Sequence, residues 1–354
     1  MKIQQKNILV APLNWGLGHA TRCIPIIQNL ENYGFHPIIA SDGEALQLLK
    51  KEFPQLKFLE LPSYHIKYPK NGKNFRWKML QSIPKIIVAI QKERKLIGKW
   101  VLEFEFQGII SDNRLGVYSS KVPSVFITHQ LNILTGSTTF FSTKIHQKVI
   151  DKFTECWVPD VVKTPNLSGK LGHLNFNNLK IKYLGPLSRF RKIDSEFKYD
   201  LLVLLSGPEP QRTILEEKLI SELKKYSGEV IFVKGIMEEK QKVFQSGKIL
   251  FYNFMQSPEL GKTINESKVV LCRSGYTTVM DLAKLGKKAF FIPTPGQFEQ
   301  EYLAEKFQQE RLVPFCNQED FSIDKLTEVQ NYKGLSNFEE EVNWRQLFRL
   351  FEGK

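Results

Sequence analysis

The chain has 354 residues, 42% of them hydrophobic, which is enough for two domains with a core each. Lysine and arginine (50) outnumber aspartate and glutamate (37), and the formal charge of +13 favours acidic partners such as a nucleotide sugar or an anionic membrane surface. No nucleic-acid-binding motif accompanies this charge, the four cysteines lack the spacing of a disulfide framework or a zinc site, and no apolar run approaches the roughly 20 residues that span a bilayer. The N-terminus also lacks the apolar core of a signal peptide, so we expect a cytoplasmic protein with reduced thiols, no metal and no nucleic-acid partner.

The N-terminal segment predicts a strand at Asn7–Pro12 that leads into a glycine loop. In that loop Gly16 and Gly18 precede His19, and a helix follows at once. The positive end of a helix disfavours a charged imidazole and keeps it neutral near pH 7, which suits a general base that takes a proton from a hydroxyl group. The alternative role for His19 is a structural cap of the helix.

The same loop differs from the dinucleotide-binding fingerprint, because Arg22 stands where the last glycine of that fingerprint belongs. Asp42 lies at the end of the predicted second strand, His36–Asp42. An acid at this place binds ribose in NAD-dependent dehydrogenases, so a dehydrogenase stays open as an alternative.

Two further predicted strands end close to functional side chains. The predicted strand Gln107–Asn113 has Asp112 as its second-last residue. The predicted strand Val122–Ile127 is followed two residues later by His129. The carboxyl ends of parallel strands share one edge of a sheet. Asp112 is therefore placed to orient His19, or else to cap a helix, and His129 is the second candidate for the base.

The most informative stretch lies near the end of the chain. A short apolar run, Val269–Cys272, predicts a buried strand, and an Arg-Ser-Gly turn and a segment with helical periodicity follow it. A helix that starts directly after a strand and a glycine turn binds anions, most often phosphate, through its first amide groups. The alternative is an ordinary turn with Ser274 as the helix N-cap. The residues of this stretch that we expect at a nucleotide are Arg273, Ser274, Gly275, Tyr276, Thr277 and Asp281.

The next predicted strand, Lys287–Pro293, ends in a loop that carries Glu299 and Gln300. From about Phe251 to Ala304, four features resemble the donor half of the MurG-like glycosyltransferases of family 28. They are the Cys-Arg-Ser-Gly turn, the Thr-Val pair before an acid, the strand that ends in proline, and the Glu-Gln pair. The glycine loop that ends in His19 is similar to the opening of the same family.

This resemblance implies an α/β protein of the GT-B fold, with two Rossmann-like domains and a ligand cleft between them. Residues 1–185 are expected to bind the acceptor and residues 186–354 the donor. It also implies that a sugar passes with inversion from a UDP-linked donor to a hydroxyl group, without a metal or a cofactor. The last strand of the first domain is predicted at Glu155–Pro159, with the linker at 182–198. A final helix at about 337–351 is expected either to cross back to the first domain or to pack on another apolar face.

Further donor contacts follow from the resemblance. Glu299 and Gln300 are expected to bind hydroxyls of the sugar, and Asp281 those of the ribose. A loop that is glycine-rich in the family has one glycine here, Gly207, and two prolines, so Arg212 is expected to supply charge to the phosphates. A later segment, Ile249–Met255, resembles the base-binding loop of the family, in which backbone groups bind the pyrimidine, and gives this role to Tyr252 and Asn253.

The segment from Tyr64 to Trp100 interleaves lysines and arginines with aromatic and aliphatic residues. This composition is typical of a segment that contacts an anionic membrane surface, and in that case we expect a lipid-linked acceptor and work at the inner face of the membrane. The alternative is an insertion whose apolar face packs on the N-terminal domain while its lysines are solvated.

Two alternatives to a transferase stay open beside the dehydrogenase. A sugar-nucleotide epimerase or hydrolase shares the fold and consumes a UDP-sugar without an acceptor. A non-catalytic, membrane-bound partner of another transferase would bind without turnover. The presence of His19, Asp112 and the whole donor motif in one chain argues against the second.

Overall fold

The computed structural model describes residues 6–64, 75–133, 139–174, 179–207, 209–236, 238–336, 338 and 341–353, without the side chains of 75–82 and 141. These residues form two compact α/β units. The N-terminal unit consists of the described residues within Met1–Lys67, Trp77–Leu187 and Glu340–Lys354, and the C-terminal unit of those within Tyr68–Arg76 and Ser188–Glu339. Residues 65–74 of the basic segment and Pro208 of the expected phosphate loop lie outside the described residues.

The N-terminal unit is built on a seven-stranded sheet with the order β3-β2-β1-β4-β5-β6-β7, parallel throughout. Buried apolar runs form its centre, since Ile8, Leu9 and Val10 of the first strand are all fully buried. The strands are β1 (Asn7–Pro12), β2 (His36–Ser41), β3 (Lys57–Glu60), β4 (Gly108–Asp112), β5 (Ser124–Ile127), β6 (Glu155–Val158) and β7 (Ile181–Tyr183). The helices are α1 (Gly18–Asn32), α2 (Gly43–Glu52), α3 (Phe75–Glu103) and α4 (Thr139–Ile150), with a short 3₁₀ helix at Gly169–Leu171.

The C-terminal unit has a six-stranded sheet with the order β10-β11-β9-β8-β12-β13, in which only β10 runs antiparallel, to β11. Its strands are β8 (Tyr199–Leu204), β9 (Val230–Val233), β10 (Val243–Ser246), β11 (Ile249–Tyr252), β12 (Ser267–Cys272) and β13 (Lys288–Phe291). Its helices are α5 (Gln211–Leu223), α6 (Ser257–Asn265), α7 (Tyr276–Leu285) and α8 (Phe298–Gln309), with a 3₁₀ helix at Ile323–Asn331.

In each sheet the strand order reverses beside the first strand of the unit. The reversal lies between β1 and β4 in one sheet and between β8 and β12 in the other. Ligands of open α/β sheets bind outside the carboxyl ends of the strands at such a reversal. His19 lies at the start of the helix that follows β1, Asp112 is the last residue of β4, and Gly207 and Arg273 lie in the loops after β8 and β12, so the fold brings these predicted site residues to the two reversals.

Three short strands, β3, β7 and β10, were not predicted from the sequence. The prediction that Glu155–Pro159 ends the first sheet is wrong, because a further strand, β7, pairs with β6 and overlaps the start of the segment that we expected to be linker. β7 has three residues, all only partly buried, and a lysine in the middle. β10 is exposed at all four positions. Such edge strands carry no apolar run, so their sequences do not differ from those of loops.

The long helix α3 belongs to the core of the N-terminal unit over its C-terminal half. Ile97, Trp100 and Val101 are buried in the same cluster as Leu9 and Ile109 of the sheet. Toward its N-terminus the helix exposes apolar side chains, with 45–49% of the surface of Ile83, Ile87 and Val88 accessible. No helix in the described part of the chain is both long and apolar enough to cross a membrane.

The last helix, α9 (Trp344–Phe348), is shorter than the expected 337–351 and continues as a 3₁₀ turn at Arg349–Phe351. It begins at Trp344 because the Asn343 side chain accepts a hydrogen bond from the backbone N–H of Gln346. The segment is part of the N-terminal unit, where Phe348 packs edge-on against Phe35 at 5.7 Å between ring centroids.

Candidate active site

His19 lies in the first turn of α1, directly after the loop that leaves β1. Gly16 has φ +73° in this loop, a left-handed conformation that favours glycine. Pro12 and Asp112 are register partners at the ends of β1 and β4, so the two strand ends are neighbours. The His19 Nδ1 atom lies 2.8 Å from Oδ1 of Asp112. His19 does not cap α1, and Asp112 does not begin a helix, so both capping alternatives are wrong.

Arg22, one helical turn after His19, completes this arrangement. It is almost fully buried, and its guanidinium binds both carboxylate oxygens of Asp112. Its Nη2 lies 2.8 Å from Nδ1 of His19 and its Nη1 lies 3.1 Å from Nδ1 of His129. Burial alone raises the pKa of Asp112, but the charges of Arg22 and His19 outweigh it and lower that pKa to about 2. The carboxylate is therefore ionised at any physiological pH.

His19 is held as a neutral imidazole. Its side chain is 14% exposed. Burial is the main cause that lowers the pKa of His19, and Arg22 lowers it further, against the opposing effect of Asp112. In the tautomer whose Nδ1–H donates to Asp112, Nε2 carries the lone pair, and among the described residues no side chain or backbone group forms a hydrogen bond with Nε2. The ring can therefore accept a proton from a ligand at Nε2.

His129, the second candidate base, lies two residues after β5. It is 5% exposed and sits behind Arg22, whose Nη1 faces its Nδ1. The geometry thus favours His19, the more exposed of the two rings, as the base.

A second buried ion cluster lies at the neighbouring strand ends. Arg114, fully buried, binds Oδ1 of Asp42 and, at 2.7 Å, Oε1 of Glu93 on α3. Oε2 of Glu93 accepts hydrogen bonds from the Tyr64 hydroxyl at 2.8 Å and from a backbone N–H. The other oxygen of Asp42 is bound by Asn14 at 3.1 Å. Because both oxygens of Asp42 are engaged and the residue is 5% exposed, it does not offer the ribose contact on which the dehydrogenase alternative depends.

In the C-terminal unit the Arg-Ser-Gly turn connects β12 to α7 as predicted. Gly275 is the N-cap residue of α7 and uses no side chain for capping. The Ser274 hydroxyl is fully buried and donates to the Gln300 carbonyl at 2.7 Å, so the prediction of Ser274 as a side-chain cap is wrong and its hydroxyl is not directed to a phosphate. The amide groups of the first turn of α7, which include those of Tyr276 and Thr277, point out of the helix at the carboxyl end of the sheet.

Arg273 stabilises the loops around this turn, and its positive charge is not neutralised by a carboxylate of the described residues. Its guanidinium donates to the carbonyls of Ile292 and Pro293 at 3.1 and 3.0 Å, and to Gln211 and Gln318. Among the described residues no carboxylate lies within ion-pair distance of it. The side chain is 1% exposed, and burial lowers the pKa of Arg273 to about 9.

The predicted sugar-side residues lie around the same turn. Oε1 of Gln300 accepts a hydrogen bond from the Thr294 N–H at 2.8 Å, and its Nε2 lies 3.9 Å from the position that a Cβ of Gly275 would occupy. Glu299 is the preceding residue in the first turn of α8 and is partly buried. The Gln300 amide is thus held over the Arg-Ser-Gly turn.

Asp281 lies on α7, half-buried, and accepts a hydrogen bond from the Ser188 hydroxyl at 2.6 Å. Burial raises the pKa of Asp281 to about 6, although the Arg189 charge and the Ser188 hydroxyl oppose the rise. A carboxyl group that resists ionisation gains from additional hydrogen-bond donors, and ribose hydroxyls are such donors.

Arg212 does not offer the charge that we expected of it. Its guanidinium binds Glu209 at 2.7 Å and Glu216 at 2.6 Å, and these carboxylates compensate it. Gly207, in contrast, is exposed after β8 with φ +107°, and a Cβ at this position would lie 3.9 Å from the Thr294 hydroxyl. The loop after β8 can therefore offer backbone groups to a ligand, whereas the charge of Arg212 is already neutralised.

The side chain of Asn253 is a structural element of the β10–β11 hairpin. Its Nδ2 donates to Glu238 at 2.7 Å, and its Oδ1 accepts from the Lys242 N–H at 2.8 Å. The carbonyl of Tyr252 accepts from the Lys234 N–H at 2.8 Å. The polar atoms of the Asn253 side chain are thus engaged within the unit, and the prediction that backbone groups of this loop bind a base stays a prediction.

Sequence reasoning missed Arg22, Arg114 and Glu93. For Arg22 a signal exists, because residues three apart on a helix share a face and Arg22 follows His19 by three. The described residues contain no group of three or more His, Cys, Asp or Glu suited to hold a metal.

Comparisons with known proteins agree with this arrangement. Residues 211–337 match the glycosyltransferase family 28 C-terminal domain. Over 334 residues the chain is 24% identical to the UDP-N-acetylglucosamine–N-acetylmuramyl-(pentapeptide) pyrophosphoryl-undecaprenol N-acetylglucosamine transferase of Glaesserella parasuis, covering 91% of this chain and 88% of the relative.

Two solved structures have a similar fold. MurG of Acinetobacter baumannii aligns with a TM-score of 0.56 at 14% identity, over 98% of this chain and 99% of that chain. The spinosyn rhamnosyltransferase SpnG, complexed with thymidine diphosphate, aligns with a TM-score of 0.60 at 11% identity, over 98% and 95%. At these identities the likeness establishes the fold and not the substrate.

Proposed function

We propose that the chain acts as a nucleotide-sugar glycosyltransferase of the MurG-like family 28 group, with the GT-B fold, and that it transfers a sugar from a UDP-linked donor to a hydroxyl group of a lipid-linked acceptor. The observation that carries the proposal is the neutral His19, held by Asp112 and Arg22 at the strand-order reversal of the N-terminal sheet. The choice of UDP and of a lipid-linked acceptor is supported by the name of the Glaesserella relative, which contains both.

The N-terminal unit supplies the base. Nε2 of His19 takes the proton of the acceptor hydroxyl while its oxygen attacks the anomeric carbon of the donor sugar. The bond between that carbon and the phosphate oxygen breaks, and UDP leaves with the electron pair. A single displacement of this kind inverts the anomeric configuration. Asp112 holds the ring and stabilises the imidazolium that forms.

The C-terminal unit stabilises the leaving group. The first amides of α7 and the uncompensated charge of Arg273 are suited to the two negative charges that develop on UDP. Neither a metal nor a cofactor is needed in this scheme, because the protein supplies the positive charge itself. Asp281 takes the ribose hydroxyls, and Glu299 and Gln300 take those of the sugar.

The experiment is a thermal-shift and turnover assay with nucleotide sugars. UDP should raise the melting temperature at millimolar concentration, since a ligand at about 100 times its Kd stabilises by roughly 2.7 kcal/mol. UDP release should then require an acceptor. Rapid release without an acceptor would identify the epimerase or hydrolase alternative, and a shift with NAD but not with any nucleoside diphosphate would contradict the proposal.

We also propose that the N-terminal unit contacts an anionic membrane surface. α3 exposes Ile83, Ile87 and Val88 next to Lys85, and α4 exposes 62% of Phe140 and 66% of Ile145 beside Lys144. Exposed apolar groups beside lysines suit the boundary between headgroups and acyl chains.

Vesicle sedimentation tests this contact. The protein should pellet with anionic vesicles at low salt and be released as salt rises, because surface attraction is screened. The double variant Ile83→Ser/Ile87→Ser should weaken sedimentation, whereas Leu102→Ser, at a position near the other end of the same helix that is 64% exposed, should not. If equal amounts of protein stay in the supernatant with anionic and with neutral vesicles, the proposed membrane contact is wrong.

A further inference from the structure

The glycine loop between β1 and α1 is tied to the sheet at its first residues. Pro12 ends β1, and its carbonyl accepts hydrogen bonds from Nε of Arg114 at 3.0 Å and from the Ser41 hydroxyl at 2.8 Å. The backbone N–H of Leu13 donates to the Asp112 carbonyl at 2.9 Å. The beginning of the loop therefore has a fixed place at the carboxyl edge of the sheet.

Asn14, the next residue, links this loop to the start of α2. Its Nδ2 donates to Oδ2 of Asp42 at 3.1 Å, and its Oδ1 accepts from the backbone N–H of Ala45 at 3.4 Å. Asp42 is the N-cap residue of α2, but its side chain forms no capping bond, and its two oxygens are bound by Arg114 and Asn14 instead. Asn14 therefore takes the role of the N-cap side chain from a different segment of the chain.

Gly43, the first residue of α2, leaves room for the Asn14 amide. A Cβ at Gly43 would collide with Nδ2 of Asn14. The φ angle at Gly43 is +50°, a left-handed conformation that favours glycine. The amide group of Asn14 thus occupies the space that a side chain at position 43 would fill.

The direction of the His19 ring depends on this loop, because the side-chain contacts hold the ring from one side. The contacts with Asp112 and Arg22, both at 2.8 Å, end on Nδ1. The place of Nε2 is then set by the backbone at the start of α1, where the N-cap residue, Leu17, forms no capping bond with its side chain. Gly16, which is exposed, gives the loop little stiffness of its own. The point at which the loop is fastened therefore matters for Nε2.

We propose that Asn14 is a positioning residue for His19. By joining the loop to Asp42 and to the first turn of α2, its amide fixes where α1 begins and where Nε2 points. The inference rests on the proposed function, in which Nε2 of His19 takes the proton of the acceptor. A base that is misplaced by about 1 Å can lose much of its effect on the rate.

The variant Asn14→Ala removes both hydrogen bonds of the side chain. We expect kcat for sugar transfer to fall by about 10–100-fold, whereas KM for the donor should change by less than about twofold, because the donor is expected at the other unit. Asn7→Ala is the matched control, since Nδ2 of Asn7 donates to the Phe104 carbonyl at 2.7 Å at the opposite end of β1. This control should keep the parent kcat.

The pKa of His19 provides a readout that does not need turnover. Burial lowers this pKa, so a loosened loop that admits solvent should let it rise toward the ordinary value of 6.5. The charged and titratable groups that act on the ring are Asp112, Arg22 and His129, and these variants change none of them. The measurement is an NMR titration of the histidine ring protons, with the His19 signal identified by its absence from His19→Ala.

A pair of glycine variants tests the same contact without changing Asn14. Gly43→Ala should displace the Asn14 amide and reproduce both effects of Asn14→Ala. Gly34→Ala is its control, because Gly34 has a similar left-handed φ of +78°, while among the described residues no atom beyond its chain neighbours lies within 4 Å of the added Cβ. The control should keep the parent kcat and the parent pKa of His19.

Parent values of kcat and of the His19 pKa in both Asn14→Ala and Gly43→Ala would overturn the proposal, and so would equal changes in their controls. If Asn14→Ala does not fold, Gly43→Ala decides in its place. If the parent protein releases no UDP from a UDP-sugar with any acceptor, the proposed function is wrong, and the pKa comparison still decides whether Asn14 positions the ring.

Discussion

At the strand-order reversal of the N-terminal sheet, a buried arginine is bound by a carboxylate, whereas at the reversal of the C-terminal sheet a buried arginine is bound only by neutral oxygens. Arg22 pairs with Asp112 in the first case. Arg273 donates to three carbonyls and one amide in the second. Both sheets reverse their strand order beside the first strand of the unit, but the two reversals differ in the charge that they leave uncompensated.

The difference indicates what each reversal binds. Where a carboxylate already neutralises the buried arginine, a neutral ligand can bind without leaving a buried charge unpaired. The acceptor hydroxyl that the base must deprotonate is such a neutral ligand. A buried guanidinium without a carboxylate gains from an anion, because the desolvation cost of the cation has already been incurred. We infer that the N-terminal unit is prepared for proton transfer and the C-terminal unit for a diphosphate.

The largest expected effect comes from removing the base. His19→Ala should lower the rate of transfer by about 10²–10⁴-fold, the usual contribution of general base catalysis. The UDP-induced thermal shift should remain, because the Arg-Ser-Gly turn that is proposed to bind the diphosphate belongs to the other unit. The measurement is the initial rate of UDP release with the acceptor present.

A second histidine–carboxylate pair provides the matched control. His173 contacts Asp160 at 3.2 Å in the N-terminal unit, after β6 and away from the reversal. His173→Ala should transfer sugar at close to the parent rate. If His19→Ala does so too, His19 is not the base, and His129→Ala becomes the variant to examine.

Arg273 should govern donor affinity. Arg273→Met keeps the length of the side chain and removes the charge, so the Kd for UDP should rise roughly tenfold to a hundredfold at low salt. Arg212→Met is the control, since Arg212 is also buried in this unit but is already compensated by Glu209 and Glu216. Equal losses in the two variants would show that the uncompensated charge has no special role.

Two aspartates should respond to neutralisation with opposite sign. The folded-state pKa of Asp112, about 2, is below its ordinary value of 3.8, so its charge stabilises the fold above pH 4 and this stability is lost as pH falls toward 2. The folded-state pKa of Asp281, about 6, is above that value, so its contribution is present below pH 4 and is lost as pH rises through 6. At pH 7.5 Asp112→Asn should therefore lower the melting temperature.

Asp281→Asn should raise the melting temperature at pH 7.5 by a few degrees, corresponding to roughly 2–3 kcal/mol. The gain should shrink at pH 5, where the parent carboxyl is mostly protonated. A gain of the same size at both pH values would contradict burial as the cause.

The smallest effect is expected in the pH profile of an Arg22 variant. Arg22→Lys keeps a positive charge but cannot bind both oxygens of Asp112, so Asp112 acts more strongly on His19 and raises the pKa of its ring. The acid limb of kcat/KM should move to higher pH, and the ratio of variant to parent activity should fall several-fold between pH 8 and pH 6. A parallel profile would indicate that Arg22 has only a packing role.

Elements with buried apolar runs could be predicted from the sequence almost to the residue. β1 was predicted at its observed bounds, and β12 and α7 follow each other through the expected turn. The GT-B fold class is confirmed by the solved neighbours. The sequence carries this information because a strand that is covered on both faces is apolar at nearly every position, which marks where it begins and ends.

The candidate site could be predicted only where strand ends alone bring residues together. His19 and Asp112 meet because β1 and β4 are adjacent. The partners of Arg114 are 72 and 21 residues away in the chain and leave no local pattern. The hydrogen bond between the side chains of Asn253 and Glu238 is likewise indicated by no pattern in the sequence.

The ion pair between Glu93 and Arg114 limits which deletion and exchange variants of α3 can stay folded. α3 had the composition of an insertion, and a shortened chain without it would join β3 directly to the segment before β4. Such a chain would leave Arg114 with one carboxylate instead of two, and the hydroxyl of Tyr64 without its acceptor. Removing one partner of a buried pair typically costs 3–5 kcal/mol, which is much of the stability of an ordinary domain. Any graft that exchanges α3 for the corresponding helix of a relative must therefore carry Glu93, or replace Arg114 at the same time.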